Sequence, residues 1–304
     1  GTVNDAFFRF VVDMGGPGPD RGKGGKYLII GPGQTAPANT DGYFVANTPS
    51  KINWLILRGF LDDQGKTDTA RNAFKGGLRV YPYALRANPP ANNFKNLTDW
   101  ETNTIHANNF KFYEELDEVI QREPSDLFSP ELLGMASSIG IEKGKPFNPS
   151  PEQKALLTEA VAIGNATARS ILFGPKDPKN YIYPGKAGYW QTGFPGGSHE
   201  YLVNKGNGGR DMDGRTLFFY LATVNTPAMA LEIPGVGSQY AFSSRDGSGA
   251  YLNGSNTYKL NIPANPPAQK FWSFVVYDPQ TRSMLQTGEM PYPSKNNKRN
   301  ADMV

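Results

Sequence analysis

Short apolar runs, separated by glycine, proline and charged residues, mark the first part of the chain. The clearest run covers residues 27–30, four apolar residues that end at Gly31-Pro32-Gly33. A continuous apolar run of this length between turn residues is typical of a buried β-strand. The same pattern predicts further strands at residues 6–12, 43–46, 52–58 and 78–81. The first part of the chain is therefore predicted to be β-rich.

Residues 98–174 follow a different pattern, in which apolar residues recur at helical spacing. Residues 110–121 carry them at intervals of three and four, which is typical of an amphipathic helix. Ser129-Pro130 and Ser150-Pro151 each place a capping serine before a proline at the first helical position. The helix that begins after Ser150 is predicted to be the longest of the chain.

Short strands return from residue 181 onward. Residues 257–262 alternate between polar and apolar side chains, and strands are also predicted at 239–243 and 271–277. Residues 216–224 fit either a helix or a strand, with the helix preferred. The chain is thus predicted to have three parts: a β-rich part at 1–97, a helical connector at 98–180 and a second β-rich part at 181–304.

Composition excludes several classes of protein. The 304 residues include 34 Gly and 25 Pro, too many helix-breaking residues for a helical bundle or a coiled coil. Hydrophobic residues at 38% are enough for a core, which excludes global disorder. The absence of cysteine excludes disulfide scaffolds, thiol catalysis and Cys-based zinc sites.

The charge pattern and the apolar runs limit the classes of partner that the chain is expected to bind. The net charge of +3 is spread along the chain without a basic stripe, so nucleic-acid binding is not expected. No apolar run approaches the roughly 20 residues of a membrane-spanning helix. Gly31-Pro32-Gly33 lacks the third glycine and the helix of a dinucleotide-binding loop, and no phosphate-binding loop occurs, so no cofactor is expected.

Several segments resemble a known pair of families. Residues 25–33 and 77–82, with the sequences GKYLIIGPG and GLRVYP, resemble the DUF1254 family. Residues 251–286, which include YLNG, TYKL and FWSFVVYD, resemble its usual partner, the DUF1214 family. Residues 103–108 and 140–147 resemble proteins in which these two families occur together.

The resemblance implies a fold and a location but no activity. It implies a mainly β protein with a helical block, in which two jelly-roll-like β-sandwich units are joined by an α-helical connector. It also implies an exported protein, periplasmic or secreted, that forms a homo-oligomer, with a trimer as a frequent form. Members of the family extend further at both ends, so we expect this chain to be a truncated or processed piece.

Two histidines are the candidate catalytic residues. His106 lies in a polar loop before a predicted helix, and His199 precedes Glu200 in a glycine-rich loop. Imidazole titrates near neutral pH, so either residue can serve as a general base. For both, the preferred interpretation is a loop histidine without a catalytic role. Adjacent residues such as His199 and Glu200 rarely point at one another, so they do not form a triad by themselves.

Aromatic and acidic residues supply the remaining candidates. A loop rich in glycine and proline carries five rings that can stack on a sugar or an apolar ligand, or can simply fix the loop to the protein: Tyr181, Tyr183, Tyr189, Trp190 and Phe194. Asp211 and Asp213 begin a sequence like a calcium loop, but the later ligands are missing, so no metal is expected.

The sequence therefore supports two functions of different kinds. The preferred one is a non-catalytic, exported and oligomeric β-sandwich protein that binds a small molecule or a carbohydrate, or serves as a surface or assembly component. The alternative is a hydrolase-like enzyme that uses His106 or His199 with neighbouring acids. Whether the chain is an enzyme stays open at this level.

Overall fold

The computed structural model describes residues 1–98, 100–101, 103, 105–185, 189–222, 224–231, 239–268, 271–288 and 293–297. Its secondary structure is mixed, with 30% helix and 13% strand, and its sheets are small. The helical block is present, but helix exceeds strand, so the content is mixed rather than mainly β. Contacts divide the chain into two compact units, residues 1–56 with 106–261, and residues 57–105 with 262–304. The predicted division at residues 97 and 180 stays a prediction.

The strands are β1 Thr2–Asn4, β2 Phe10–Asp13, β3 Lys26–Ile30, β4 Tyr43–Asn47, β5 Trp54–Ile56, β6 Ser273–Val275 and β7 Ser294–Asn296. Among the described residues, the first unit contains two small sheets. In one, β1 is the central strand between β2 and β5, and both pairings are antiparallel; in the other, β3 and β4 pair in parallel. The described part of the second unit contains one antiparallel pair, β6 with β7.

The helices follow the local capping signals. The Ser129 and Ser150 hydroxyls accept hydrogen bonds from the N–H groups of Leu132 and Gln153, as the two Ser-Pro pairs predict. Of the segment at 216–224 that fitted a helix or a strand, residues 216–221 are helical. The helix bounds are α1 Asp68–Gly77, α2 Lys111–Arg122, α3 Pro130–Ser138, α4 Pro151–Phe173, α5 Met212–Leu221 and α6 Pro227–Ala230. None of these helices is long and apolar enough to cross a membrane, within the residues described above.

Three of the predicted strands, at residues 78–81, 239–243 and 257–262, are not strands in the structure. Within 239–243, Phe242 forms only an isolated bridge with Gln191. At residues 78–81, the side-chain amide of Asn92 takes the place of a neighbouring strand: it accepts from the Val80 N–H at 3.1 Å and donates to the Leu78 carbonyl at 3.2 Å. Residues 257–262 have exposed side chains and form no ladder. A strand needs a partner that lies elsewhere in the chain, and alternation alone does not supply one.

The core of the first unit forms around α2, α3, α4 and α5. One cluster joins α2, α3 and α4 through Tyr113, Ile120, Ala136 and Leu157, and it includes Phe128. A second cluster packs α4 on α5 through buried side chains at Leu172, Leu217 and Tyr220. A third cluster covers another face of α5, at Phe194, Tyr201, Phe218 and Ala230. Helix α5 is therefore fixed on two faces and provides a rigid base for side chains that project from it.

The loop between β2 and β3 is organised by one buried carboxylate, that of Asp20. It accepts hydrogen bonds from the Gly15 N–H at 2.7 Å, the Gly24 N–H at 2.9 Å and the Tyr27 hydroxyl at 2.6 Å. Burial by itself would raise the pKa of Asp20, but these hydrogen bonds outweigh burial and hold the pKa below its usual value. The ionised form of Asp20 therefore stabilises the folded loop.

This carboxylate should make stability depend on pH in the acid range. Its contribution is complete above the pKa of an unfolded aspartate, about 3.9, and is lost as the pH falls through the lower folded-state pKa. We expect Asp20→Asn to lower the free energy of unfolding by about 1–2 kcal/mol at neutral pH. The difference from the unsubstituted protein should shrink in acid, as measured by urea unfolding at a series of pH values. A difference independent of pH would contradict this role.

Candidate functional site: an arginine-lined cleft

A cleft of about 50 Å³ lies in the first unit between the turn before β2 and the start of α5. Three arginines line it, Arg9, Arg210 and Arg215, together with His199 and the carboxylate of Glu200. Four rings form the apolar part of the wall: Phe8, Phe10, Tyr201 and Phe218. We call this site the arginine cleft.

The buried carboxylate of Asp5 shapes the first wall of the arginine cleft. It accepts hydrogen bonds from the Phe7 N–H at 2.8 Å and the Arg9 N–H at 2.9 Å, and it pairs with Arg9 Nε at 2.5 Å. The turn closes with Phe8 at a φ of 55°, in the left-handed region that a bulky residue rarely adopts. Predicted as strand from residue 6, this segment becomes strand only at Phe10 because Asp5 holds a turn here. The turn brings Phe8 and Arg9 to the cleft.

The opposite wall is built on Tyr201, whose side chain is 1% exposed. Its hydroxyl donates to the Gly193 carbonyl at 3.2 Å, and its ring packs against Phe194 and Phe218 with centroids 5.9 and 5.7 Å apart. Burial is the main cause that raises the pKa of Tyr201, so the phenol is neutral at physiological pH. This wall is rigid because its rings belong to the core.

The arginines of the cleft bond mainly to backbone oxygens. Arg215, on α5, donates from Nη2 to the Phe7 carbonyl at 3.0 Å, and Arg210 donates from Nη1 to the Glu200 carbonyl. Burial is the main cause that lowers the pKa of Arg215, which still keeps its charge at neutral pH. Among the described residues, Arg9 pairs with Asp5, whereas Arg210 and Arg215 have no carboxylate partner within 4.0 Å.

His199 lies at the rim of the arginine cleft. Its ring packs edge-on against Phe10, with centroids 5.8 Å apart, and its carbonyl accepts a hydrogen bond from the Asn225 amide. Asp13 lies close enough for the two charges to interact; burial raises the pKa of Asp13, and the charge of His199 partly opposes that rise. Glu200 is exposed beside it. The structure thus brings His199 and Glu200 to one cleft with the three arginines.

His106 belongs to a different cluster. Its Nε2 lies 3.2 Å from the Tyr220 hydroxyl, which donates to Asn165 Oδ1 at 2.8 Å. Since the amide oxygen of Asn165 only accepts, His106 donates to Tyr220 from Nε2. The ring of His106 also packs edge-on against Phe219. None of these contacts includes His199 or a residue that lines the arginine cleft.

The predicted aromatic platform is divided between core and surface. Phe194 is 7% exposed and packs inside the core. Tyr181 and Tyr189 pack edge-to-face, and the Trp190 carbonyl accepts from the N–H of Ile182 at 2.8 Å, so these contacts lie within the loop. Tyr183 and Tyr189 are exposed. Phe194 thus ties the loop to the core, and a ligand-binding role for the exposed rings stays a prediction.

The two candidate metal ligands, Asp211 and Asp213, lie at the start of α5. The Asp211 carboxylate caps α5 by accepting from the Gly214 N–H at 2.9 Å, and it pairs with Lys179 Nζ at 3.2 Å. Asp213 is an exposed residue in the first turn of the same helix. Within the part of the chain that the structure describes, no group of three or more His, Asp or Glu side chains could hold a metal ion.

Comparisons with known proteins agree with the resemblance seen in the sequence. A family model described as a protein of unknown function, DUF1254, matches residues 1–82, and a second, DUF1214, matches residues 237–303. Among solved structures, the chain is similar to the VPA0106 protein from Vibrio parahaemolyticus, with 14% sequence identity and a TM-score of 0.48. The alignment covers 97% of this chain and 66% of the length of that protein. No curated protein matches the chain.

Proposed function

We propose that this chain, which carries the DUF1254 and DUF1214 domains, is a binding protein that holds a small anionic ligand in the arginine cleft. The observation that carries the proposal is the position of Arg215, partly buried and bonded to a carbonyl rather than to a carboxylate. Taking a guanidinium out of water costs free energy unless an opposite charge balances it. Arg210 adds a second guanidinium that has no carboxylate within 4.0 Å among the described residues. The charge of Asp5 balances that of Arg9 and acts on Arg215 only without a direct bond.

Binding explains this lining better than catalysis does. Tyr201 supplies the hydroxyl of the cleft, and its oxygen is already bonded to the Gly193 carbonyl. The predicted hydrolase uses a histidine together with a neighbouring acid. Among the described residues, the His199 ring has no hydrogen bond to Glu200 or to another acid, and it packs edge-on against Phe10 instead. No serine or threonine lines the cleft beside His199 among the residues that the structure describes. The hydrolase-like alternative therefore stays in second place.

The family resemblance extends the proposal to the complete protein. We propose an exported protein, periplasmic or secreted, that forms a homo-oligomer and whose small sheets belong to jelly-roll-like sandwiches. The pairing of β1 with β2 and β5, and of β3 with β4, supports at least partial sheets in the DUF1254 segment.

Light scattering on the purified protein measures the oligomeric state. A monomer at all concentrations would contradict the proposed oligomer.

Titration with simple anions tests the anionic ligand. We expect acetate, sulfate or phosphate, added at constant ionic strength, to raise the melting temperature in a saturable way, because a ligand that binds only the folded state stabilises it. Arg215→Met and the exposed Arg210→Met should each weaken this effect. Arg71→Met, in α1 of the other unit, is the matched control and should leave it unchanged. Saturable binding that survives both cleft substitutions, or no binding of any of these anions, would overturn the proposal.

A further inference from the structure

We infer that the ligand of the arginine cleft is a carboxylic acid with an aromatic or aliphatic body, whose carboxylate enters the cleft while the body lies on the rings at its rim. This inference rests on the proposed function and adds the chemical class of the ligand. Three properties of the cleft carry it: its size, the form of its donors and the arrangement of its rings.

The size of the arginine cleft limits what it encloses. One water molecule needs a cavity volume of about 10–15 Å³. A cleft of about 50 Å³ therefore holds a group of roughly three or four atoms. Pockets that enclose whole small molecules are much larger, roughly 300–1,000 Å³. A carboxylate fits inside the arginine cleft, whereas a sugar ring does not. The rest of the ligand therefore lies outside.

The donors of the cleft match a planar group with two oxygens. A guanidinium presents five N–H groups in a fixed fork, and Arg215 uses one protein acceptor, the Phe7 carbonyl. Arg210 likewise donates one hydrogen bond, from Nη1 to the Glu200 carbonyl. The remaining N–H groups of such forks suit the paired, parallel hydrogen bonds of a carboxylate.

The rings distinguish an organic acid from an inorganic anion. Tyr201 and Phe218 are buried in the wall of the cleft, whereas Phe8 and Phe10 are only partly buried, so we place these two rings at its rim. A free phosphate or sulfate ion would contact the arginines but would bury none of the apolar surface that Phe8 and Phe10 still expose beside Trp54 and His199. A carboxylate joined to an apolar body uses both, because burial of apolar surface at the rim adds to binding.

Calorimetry on the full chain with benzoate, acetate, benzamide and inorganic phosphate tests the class. We expect benzoate to bind about tenfold more tightly than acetate, because its ring is partly buried, and benzamide to bind far more weakly because it is uncharged. Arg215→Lys keeps the charge but loses the fork, so it should weaken benzoate binding about tenfold as well. Phe10→Ala should weaken benzoate but not acetate, and Arg71→Met should change neither.

The outcomes separate this inference from the proposed function. If phosphate or acetate binds in an Arg215-dependent way while benzoate is no tighter than acetate, the inference is wrong and the anionic site stands. If Arg215→Lys binds benzoate as well as the unsubstituted protein does, a point charge suffices and the planar recognition is wrong. If none of the four probes binds, both are wrong. Circular dichroism of each variant verifies that it has folded.

Discussion

Replacement of Glu123 by alanine is expected to lower the free energy of unfolding by about 3 kcal/mol, because it removes two charge-assisted hydrogen bonds to the backbone. The side chain is 1% exposed. Its two oxygens accept from the Lys51 N–H at 2.6 Å and the Ile52 N–H at 3.0 Å, more than 70 residues away along the chain. Alanine would leave both N–H groups without an acceptor in a partly buried place.

The same junction closes the end of α2. The Lys143 ammonium donates to three carbonyls, those of Ile120 at 2.9 Å, Gln121 at 2.9 Å and Glu123 at 2.6 Å. A cation at this position satisfies the last carbonyls of the helix and interacts favourably with its dipole. Glu123 therefore joins the loop before β5 to a helix end that is itself tied to the loop after α3.

Urea unfolding measures the effect, with Glu118→Ala as the matched control on the same helix. Glu118 is exposed and pairs with Arg122 one turn later, so its loss should cost less than about 1 kcal/mol. Glu123→Gln keeps one acceptor oxygen and should fall between the two. Equal costs for Glu123→Ala and Glu118→Ala would show that the buried junction contributes no more than a surface ion pair.

The parts of the fold that the sequence predicted are those determined locally. Ser129 and Ser150 define their helix starts because the cap, the proline and the accepting hydroxyl lie within four residues. The extended segment at 78–81 was predicted as a strand and is not one, because its hydrogen-bonding partner is the side chain of Asn92. No local pattern identifies such a partner.

The candidate site was predicted only in part, for the same reason. His199 and Glu200 were candidates and lie at the arginine cleft, but the arginines were missed. The hydrogen bond from Arg215 to the Phe7 carbonyl joins residues 208 positions apart, so no spacing in the sequence indicates that these residues meet. The one available signal was the i, i+4 pair of Asp5 and Arg9, which the strand-like apolar pattern around it concealed.

Loss of the Asp5 carboxylate should damage the fold and the arginine cleft together. We expect Asp5→Ala to lower the free energy of unfolding by about 2–4 kcal/mol, because the side chain is buried and accepts from two backbone N–H groups and from Arg9. The left-handed conformation of Phe8, which costs roughly 1–2 kcal/mol, would also lose its support. Phe8 and Arg9 should then leave their places in the cleft, and anion binding should weaken.

Asp5→Asn and Asp62→Ala separate the causes. Asparagine keeps an oxygen for the two N–H groups but loses the ion pair with Arg9, so about half of the stability loss is expected. Asp62 accepts from the N–H groups two and four residues later, the same spacing that Asp5 uses, but in an exposed turn of the other unit. Its loss should cost less than about 1 kcal/mol and leave anion binding unchanged, since water replaces the missing acceptor. If Asp5→Ala unfolds as readily as Asp62→Ala, or keeps full anion affinity, then the buried turn neither stabilises the fold nor positions the cleft.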